Sequence, residues 1–253
     1  MRKRQQDVLA FIRSNTEVSV AELGPQFGVS METIRRDLRV LEERGDIERT
    51  YGRVRAVGSS LFEIPHTLRQ DRNIGEKRRI ATAALDALDD ASTIFIDEGH
   101  LPYLLALALP RERELTAVTS SLPTAQALAT LPKVTSIVLG GVVRGISFGV
   151  IDHWAVTMLE SMNIDVAFIG ANGIDSDGWL STPNPQVASV KKKAIEQARR
   201  RVFIGDHSKF DARSFVRFAH ISSFHRIITG AELRESTARR YSRWDVPLHR
   251  VEQ

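Results

Sequence analysis

The chain has 253 residues, of which 42% are hydrophobic and 26% charged, and its formal net charge is +4. This composition is typical of a soluble globular protein with one large domain or two ordinary ones. The sequence contains no cysteine, which excludes disulfide bonds, thiolate metal sites and cysteine nucleophiles. No apolar run has the length of a signal peptide core or of a membrane span. We therefore expect a cytoplasmic protein without a membrane partner.

Two helices are predicted at the start of the chain. The apolar residues at positions 8–12 recur at helical spacing, and this first helix ends near residues 14–16. Ser19, with Glu22 three residues later, is a capping-box pattern that begins a second, short helix. Gly28 ends that helix at a tight turn.

A third helix is predicted between the N-cap Ser30 and the helix stop at Gly45. Ile34, Leu38 and Leu41 fall at i, i+4 and i+7, so they line its buried face. The opposite face carries three arginines, whose guanidinium groups can bond to phosphates or to guanine edges. Charged helices are also common as solvated, salt-bridged surface helices, which is the alternative interpretation.

The order of these helices is that of a helix-turn-helix, in which the second helix of the pair enters the major groove. Residues 46–56 then alternate and turn at Gly52, which predicts a two-stranded wing. Residues 1–57 hold 11 Lys and Arg against 9 Asp and Glu, so the interpretation depends on where the arginines fall. They fall on the third helix and the wing, which favours DNA binding. The candidate DNA-contacting residues are Ser30, Met31, Glu32, Thr33, Arg35, Arg36, Arg39, Arg49, Tyr51 and Arg53.

These segments resemble the winged-helix signature of the DeoR family of bacterial transcription regulators. The resemblance rests on residues 18–23, 27–30, 33–38, 41–42 and 45. One departure lies at the wing, where the family usually has His-Gly-Gly and this chain has Tyr51-Gly52-Arg53. The wing tip keeps one glycine and gains a charge.

A second domain is predicted after the DNA-binding domain of residues 1–57 and a linker or connector at 58–73. In residues 74–253, short apolar runs alternate with helical segments, which is typical of a mostly parallel α/β sheet with helices on both faces. The expected strands span residues 92–96, 115–118, 135–139, 166–169, 201–204 and 226–229. The expected helices span residues 74–88, 102–109, 123–131, 151–161, 185–200 and 232–241.

Polar and glycine-rich turns follow five of these strands. Ligands of such sheets bind beyond the carboxyl ends of the strands. Glycines let the backbone approach a ligand, hydroxyls and helix-start N–H groups suit phosphate, and basic side chains add positive charge. Each turn alone is an ordinary strand-to-helix turn, but five at one edge predict a pocket for a small anionic, hydroxyl-rich ligand.

The same stretches are similar to the sensor domain of the DeoR family, which belongs with ribose-5-phosphate isomerase and related sugar-phosphate folds. The matching segments are Glu76-Lys77, Ile80-Ala81, residues 118–121, Gly140-Gly141 with Arg144, and residues 165–173 and 206–210. Family members commonly sense phosphorylated sugars or related metabolites. The effector-binding residues that the resemblance implies are Asp97, Gly99, His100, Ser120, Ser121, Gly140, Gly141, Arg144, Asn172, Gly173, Asp175, Asp206 and Lys209, with Lys191 or Lys192.

A second departure from the family lies at residues 97–101. The family usually has Asp-x-Gly-Thr-Thr, whose hydroxyls and amides would hold a phosphate, whereas this chain has His100 and Leu101 in place of the threonines. Glu98 adds a negative charge beside this cradle, so a phosphate would meet fewer donors and more repulsion unless His100 is protonated. Three ligands stay open: an ordinary sugar phosphate, a phosphate bound in an altered mode, and a neutral polyol.

The sequence shows no metal-ligand spacing and no nucleotide-binding motif, so neither a metal nor a cofactor is expected. We predict a non-enzymatic, ligand-responsive repressor of carbohydrate-catabolism genes, associated with the nucleoid. It binds double-stranded operator DNA as a homo-oligomer, a dimer or tetramer. The alternative is a sugar-phosphate isomerase or deaminase with a DNA-binding appendage, in which Asp175, Asp206 and Lys209 supply an acid/base set.

Overall fold

The computed structural model describes residues 3–15, 18–43, 46–50, 52–56 and 73–252. The chain divides into two compact units, Met1–Ile64 and Pro65–Gln253. Of the predicted linker at 58–73, only Asn73 belongs to the described residues. No helix in the described part of the chain is long and apolar enough to cross a membrane.

The N-terminal unit has the predicted winged helix-turn-helix architecture. Its helices are α1 (Lys3–Ser14), α2 (Val20–Phe27) and α3 (Met31–Glu43). Its strands are β1 (Val18–Ser19), β2 (Ile47–Thr50) and β3 (Arg53–Ala56), which form an antiparallel sheet in the order β1-β3-β2. The wing is confirmed, and β1 was not predicted. The expected helix stop at Gly45 and the wing residue Tyr51 lie outside the described residues.

A tight turn joins α2 to α3. Gly28 adopts a left-handed conformation with φ of 62°, which few residues other than glycine adopt at low cost. A side chain at Gly24 would come within 2.9 Å of the Met31 sulfur, so this small residue lets the two helices approach closely. Ile34, Leu38 and Leu41 are fully buried in the core of this unit, as their spacing predicts.

The C-terminal unit is built on a seven-stranded parallel sheet. In spatial order its strands are β15 (Leu248–Val251), β14 (Arg226–Gly230), β12 (Ala198–Ile204), β9 (Ile164–Ile169), β4 (Thr93–Ile96), β5 (Leu115–Thr119) and β6 (Val134–Val138). Every neighbouring pair is parallel. The six strands predicted from apolar runs are all present, and β15 is an additional edge strand.

Six helices of the C-terminal unit pack on this sheet. They are α4 (Ile74–Ala84), α5 (His100–Ala108), α6 (Leu122–Leu128), α7 (His153–Glu160), α8 (Pro185–Gln197) and α9 (Glu235–Tyr241). Alternate residues of a strand point to opposite faces. In β4, Ile94 and Ile96 pack with residues of α4, α5 and α6, whereas Phe95 packs with residues of α7, α8 and α9. The prediction of helices on both faces is therefore confirmed.

Two smaller sheets lie beside the main one. The first is the antiparallel sheet of β10 (Gly173–Ile174), β11 (Trp179–Thr182) and β13 (Val216–His220). The second is the hairpin of β7 (Val142–Val143) and β8 (Val150–Ile151). These short strands were not predicted.

The predicted helix over residues 185–200 ends too late. In the structure α8 ends at Gln197 and Ala198 already belongs to β12, where it pairs with Ile164 of β9. Arginine is a good helix former, but pairing with a central strand overrides local propensity here.

Candidate functional sites

Three arginines of α3 form an exposed basic surface on the N-terminal unit. Arg35, Arg36 and Arg39 are all exposed, on the side away from the buried face of the helix. Within the described residues none of the three forms an ion pair. Their guanidinium groups are therefore available to phosphates or base edges, which both accept hydrogen bonds.

Two of the four acidic residues of α3 pair with residues outside the helix. Asp37 is almost fully buried, and its carboxylate accepts hydrogen bonds from Arg4 Nε at 2.7 Å and Gln5 Nε2 at 3.0 Å. Glu42 pairs with Arg49 of the wing at 2.6 Å. These carboxylates tie α3 to α1 and to β2 rather than to its own arginines. This argues against the alternative of a salt-bridged surface helix.

The other predicted DNA-contacting residues have mixed positions. Ser30 Oγ accepts a hydrogen bond from Thr33 N–H at 3.3 Å and lies 2.9 Å from the Thr33 hydroxyl, so both residues shape the start of α3. Met31 packs against Gly24 of α2. Glu32 and Arg53 are exposed, whereas Arg49 is held by Glu42. Tyr51 lies outside the described residues.

In the C-terminal unit, a buried ion pair lies at the carboxyl edge of the sheet. Lys191 Nζ of α8 donates to the carboxylate of Asp97, and only 4% and 1% of the two side chains are exposed. Gly170 N–H, at the end of β9, donates to the same Asp97 oxygen at 2.9 Å. Its carbonyl lies 3.3 Å from Lys191 Nζ. Of the two lysines that the sequence left open, Lys191 is at this site and Lys192 is exposed.

The β7–β8 hairpin brings a second group of predicted residues together. Ser121 forms a bridge with Gly149, and Val150 N–H donates to the Ser120 carbonyl at 2.6 Å. Arg144 begins the hairpin turn, with its N–H donating to the Gly149 carbonyl at 2.9 Å. Ser121 Oγ caps α6 by accepting from Thr124 N–H. The Ser120 hydroxyl is buried and has no hydrogen-bond partner among the described residues, so a ligand hydroxyl could satisfy it.

Two predicted glycines, Gly140 and Gly141, precede β7 and are both exposed. Gly140 N–H contacts the Met158 sulfur at 3.0 Å. Gly141 has φ of 140°, and a Cβ there would lie 2.3 Å from the Ile151 carbonyl oxygen. The close pairing of β7 with β8 is therefore by itself a sufficient reason for a glycine at position 141.

The turn after β4 leads into α5 through Gly99, whose φ is 121°. The His100 side chain is buried and its ring centroid lies 5.9 Å from that of Tyr103. Leu101 packs in the apolar core below. Neither residue supplies a hydroxyl at this turn.

The predicted residues after β9 serve the small antiparallel sheet. Asn172 accepts a hydrogen bond from the Thr182 hydroxyl at 3.1 Å, and Gly173 lies against the Ala212 backbone. The carboxylate of Asp175 is buried and accepts from Trp179 N–H at 3.0 Å and from Arg217 at 2.8 Å. Burial alone would raise the pKa of Asp175, but these hydrogen bonds and that of Asp177 N–H together hold it below the ordinary value.

A carboxylate–histidine cluster links α4 to the turn after β12. Glu76 is buried and accepts from His207 N–H at 2.7 Å, and its other oxygen lies 2.7 Å from His207 Nδ1. The hydrogen bond that the His207 ring donates to Glu76 raises the pKa of His207, against the opposing effect of burial. The Asp206 carboxylate accepts a hydrogen bond from Asn73 Nδ2 at 3.1 Å. It also caps a short 3₁₀ helix, His207–Lys209. The predicted effector residues Asp206 and Lys209 therefore lie in a turn that is fastened to α4.

The ligating atoms of Glu76, Asp206 and His207 lie within 4.8 Å of one another. Both oxygens of Glu76 and one oxygen of Asp206 already accept hydrogen bonds from protein groups. The cluster is thus complete as a hydrogen-bonded clasp between α4 and this turn.

Four residues of these clusters were not among the predicted site residues: Glu76, Glu98, Ser147 and His207. Glu98 Oε2 accepts from the Ser147 hydroxyl at 2.8 Å, across 49 residues of sequence. Glu76 and His207 are 131 residues apart. Glu98 was noted only as a charge beside the cradle. Glu76 and His207 lie in segments that match the family, but no local pattern pairs side chains so far apart, so the sequence did not predict these contacts.

The fold and these sites define a class of protein: a helix-turn-helix with an exposed arginine surface, followed by an α/β domain with a polar cluster at its sheet edge. Residues 4–60 match the DeoR-like helix-turn-helix domain, and residues 72–231 match the DeoR C terminal sensor domain. The chain belongs to the DeoR family of transcriptional regulators. It is a ligand-responsive, DNA-binding regulator, as the sequence predicts.

Several curated relatives align along most of the chain. It is 32% identical to the HTH-type transcriptional regulator GlpR of Haloferax volcanii over 91% of this chain and 90% of the relative. It is also 32% identical to the glycerol-3-phosphate regulon repressor of Escherichia coli K12, over 90% of each chain. The HTH-type transcriptional regulator IolR of Bacillus subtilis is 28% identical over 97% of this chain and 98% of its own.

Solved structures show more distant similarity. Ribose 5-phosphate isomerase A of Methanocaldococcus jannaschii aligns with a TM-score of 0.41, at 17% identity over 55% of each chain. The eIF2B delta of Chaetomium thermophilum aligns with a TM-score of 0.45, at 16% identity over 64% of this chain and 57% of that one.

Proposed function

We propose that this protein represses genes of carbohydrate catabolism, and that a sugar, a polyol or a sugar phosphate bound at the carboxyl edge of the sheet changes its affinity for operator DNA. The observation that carries the proposal is the buried Asp97–Lys191 pair at that edge, beside the Gly170 backbone. Charged groups are rarely held in a protein interior without a structural or binding role. The name of the Escherichia coli relative, which refers to glycerol 3-phosphate, supports the chemical class of the effector.

The proposed DNA contacts come from the exposed face of α3. Arg35, Arg36 and Arg39 would contact phosphates or guanines, with Arg53 of the wing reaching the backbone beside them. Operators are read as paired half-sites by paired helices, so the active form is a homo-oligomer, a dimer or a tetramer. Such a regulator works in the cytoplasm, in association with the nucleoid.

A catalytic role has less support than a binding role. The alternative acid/base set needs Asp175, whose carboxylate accepts three hydrogen bonds and whose pKa is held below the ordinary value. Such a carboxylate is ionised near neutral pH and is committed to its own turn. Asp206 is similarly occupied as the cap of the following turn. We therefore assign these residues to the structure of the sensor rather than to turnover.

The test begins with selection of bound duplexes from a random DNA library by the full-length protein. Affinity for the enriched duplex is then measured for the wild type, for Arg35→Ala with Arg36→Ala, and for Arg239→Ala. Arg239 is an exposed arginine of α9 and serves as the matched control. We expect the double variant to lose at least about tenfold in affinity, because a bidentate arginine contact to a base contributes about 1–3 kcal/mol.

A double variant that binds the duplex as tightly as the wild type would show that α3 is not the recognition helix. Enrichment of no sequence by the wild-type protein would contradict operator recognition itself. The Arg239→Ala variant should bind like the wild type, since it removes an arginine charge from a surface without a proposed DNA contact.

A further inference from the structure

The start of α5 offers few hydrogen-bond donors. Its first three residues are His100, Leu101 and Pro102, and proline has no N–H group. At most two backbone donors therefore remain in the first turn, and neither His100 nor Leu101 carries a hydroxyl. Gly99, at the N-cap, has no side chain that could bind a ligand. A phosphate at this turn would find little of the donor set that helix N-termini usually present to anions.

Glu98 projects from this turn toward the β7–β8 hairpin. Its Oε2 accepts a hydrogen bond from the Ser147 hydroxyl at 2.8 Å. A Cβ on Gly149 would lie 1.7 Å from the same oxygen, so the carboxylate rests directly on the Gly149 backbone. Gly149 in turn bridges to Ser121, which follows β5. The carboxylate thus lies between the turns that follow two adjacent strands of the sheet, β4 and β5.

Arg144, a cation of the hairpin turn, is linked to Glu98 through a shared hydroxyl. Arg144 Nη1 lies 3.4 Å from the Ser147 hydroxyl, the same hydroxyl that donates to Glu98. Lys191, a second cation at this edge of the sheet, is paired with Asp97. Lys191 therefore has Asp97 as its ion-pair partner, and Arg144 has Glu98 as its acidic neighbour. A dianionic phosphate would add like charge beside Glu98, which costs free energy at short range.

The adjoining polar groups suit a neutral ligand. The Ser120 hydroxyl is buried without a hydrogen-bond partner among the described residues. A hydroxyl of a sugar or polyol can donate to a carboxylate such as Glu98 and accept from or donate to a serine. Such a ligand requires no additional positive charge.

We infer that Glu98 is a specificity-determining residue that selects an uncharged sugar or polyol and rejects its phosphate ester. This inference rests on the proposed function, because it names the ligand class of the same site. Glu98 acts through its charge, and Ser147 only holds its carboxylate in place.

The experiment measures ligand affinities of the full-length protein by calorimetry with matched pairs: glycerol and glycerol 3-phosphate, ribose and ribose 5-phosphate, glucose and glucose 6-phosphate. Inorganic phosphate is included as a minimal probe. The variants are Glu98→Gln, which keeps the shape and can still accept from Ser147, and Ser147→Ala, which keeps the charge. Glu112→Gln, at a highly exposed glutamate, is the control for the loss of one negative charge.

In the wild type we expect an uncharged member of at least one pair to bind more tightly than its ester. Glu98→Gln should gain at least about tenfold in affinity for phosphate esters, since one like charge is removed at short range. Ser147→Ala and Glu112→Gln should show no such gain. A wild type that prefers the ester, or a Glu98→Gln variant without improved ester binding, overturns the inference.

Failure of the proposed function would look different. If neither member of any pair, nor inorganic phosphate, binds the wild type or Glu98→Gln, the sheet edge is not an effector site and the inference falls with it. If the wild type binds an ester tightly and the ester changes its affinity for DNA, the proposed function stands and only the role of Glu98 is refuted.

Discussion

Lys191 and Asp97 form an ion pair in the interior of the C-terminal unit, although they are 94 residues apart in the sequence. The aspartate directly follows β4 and the lysine lies in the middle of α8. A buried charge is costly unless it is paired and hydrogen-bonded, so each of these residues requires the other. The pair consequently holds α8 against the carboxyl edge of the sheet, where the effector is proposed to bind.

The first prediction concerns this pair. Lys191→Met leaves the Asp97 carboxylate buried without its cation, and breaking such a pair costs about 3–5 kcal/mol in free energy of unfolding. Denaturant unfolding followed by tryptophan fluorescence measures this loss. All three tryptophans, Trp154, Trp179 and Trp244, belong to the C-terminal unit, so the signal reports on that unit.

Lys192→Met is the matched control, because Lys192 is the exposed neighbour. Its unfolding free energy should stay within about 0.5 kcal/mol of the wild type. The double variant Asp97→Asn with Lys191→Met should lose less than the sum of the two single losses, since no charge is left unpaired. Equal effects of the two lysine substitutions would refute the buried pair.

A second prediction concerns the hairpin beside the effector site. Gly141→Ala combines a strained φ with a Cβ only 2.3 Å from the Ile151 carbonyl oxygen. We expect a loss of about 1–3 kcal/mol in unfolding free energy, typical of one strained backbone position, with additional cost from the close contact. Thermal and denaturant unfolding check this loss.

Gly145→Ala in the same hairpin turn is the control. A Cβ at Gly145 would meet no atom within 4 Å, so the substitution should be neutral or slightly stabilising. If both alanine variants unfold like the wild type, the described β7–β8 pairing is incorrect.

The third prediction follows from the Glu76–His207 clasp. Because Glu76 raises the pKa of His207 in the folded protein, the protonated form stabilises the fold. This contribution is complete below the unfolded pKa, about 6.5. It is lost as the pH rises through the higher folded pKa. His207→Asn keeps a hydrogen-bond donor but does not titrate.

The measurement compares the unfolding free energies of the wild type and His207→Asn between about pH 6 and pH 9, the range in which a histidine with a raised pKa loses its proton. The difference in unfolding free energy between the wild type and His207→Asn should be largest at the acidic end and should shrink as the pH rises. An advantage that is constant or grows with pH would contradict the assigned protonation of His207. Glu76→Gln should show the same weakened pH dependence as His207→Asn.

Much of the fold was predictable because its core strands are short apolar runs buried on both faces. Val166, Phe168, Ala167 and Ile169 of β9 illustrate this, since all four are fully buried and divide between the two cores. The strand β15 was missed because an edge strand of alternating residues carries no such run. The end of α8 was misplaced because pairing with β9 overrides the helix propensity of the arginines.

The site was predictable only in part. The sequence left Lys191 and Lys192 open, and the structure places Lys191 on the buried face of α8 with Val187 and Ala194, whereas Lys192 is exposed. By contrast, the family resemblance implies Asp175 and Asp206 as effector-binding residues, and this stays a prediction; in the structure both carboxylates accept hydrogen bonds within their own turns. The partners of Glu76 and Glu98 come from distant segments, and only the folded chain brings them together.

In the proposed regulator, binding of the effector to the C-terminal unit and binding of operator DNA to the N-terminal unit affect each other. The most direct measurement is the dissociation constant of the selected duplex, with and without a saturating amount of the compound that binds most tightly in the matched-pair titrations. We predict that the compound weakens the affinity for DNA by about 5–150-fold, which corresponds to an allosteric coupling of about 1–3 kcal/mol. By reciprocity, the bound duplex should weaken the affinity for the compound by the same factor. A compound that binds the sensor and leaves the duplex affinity unchanged would contradict the account.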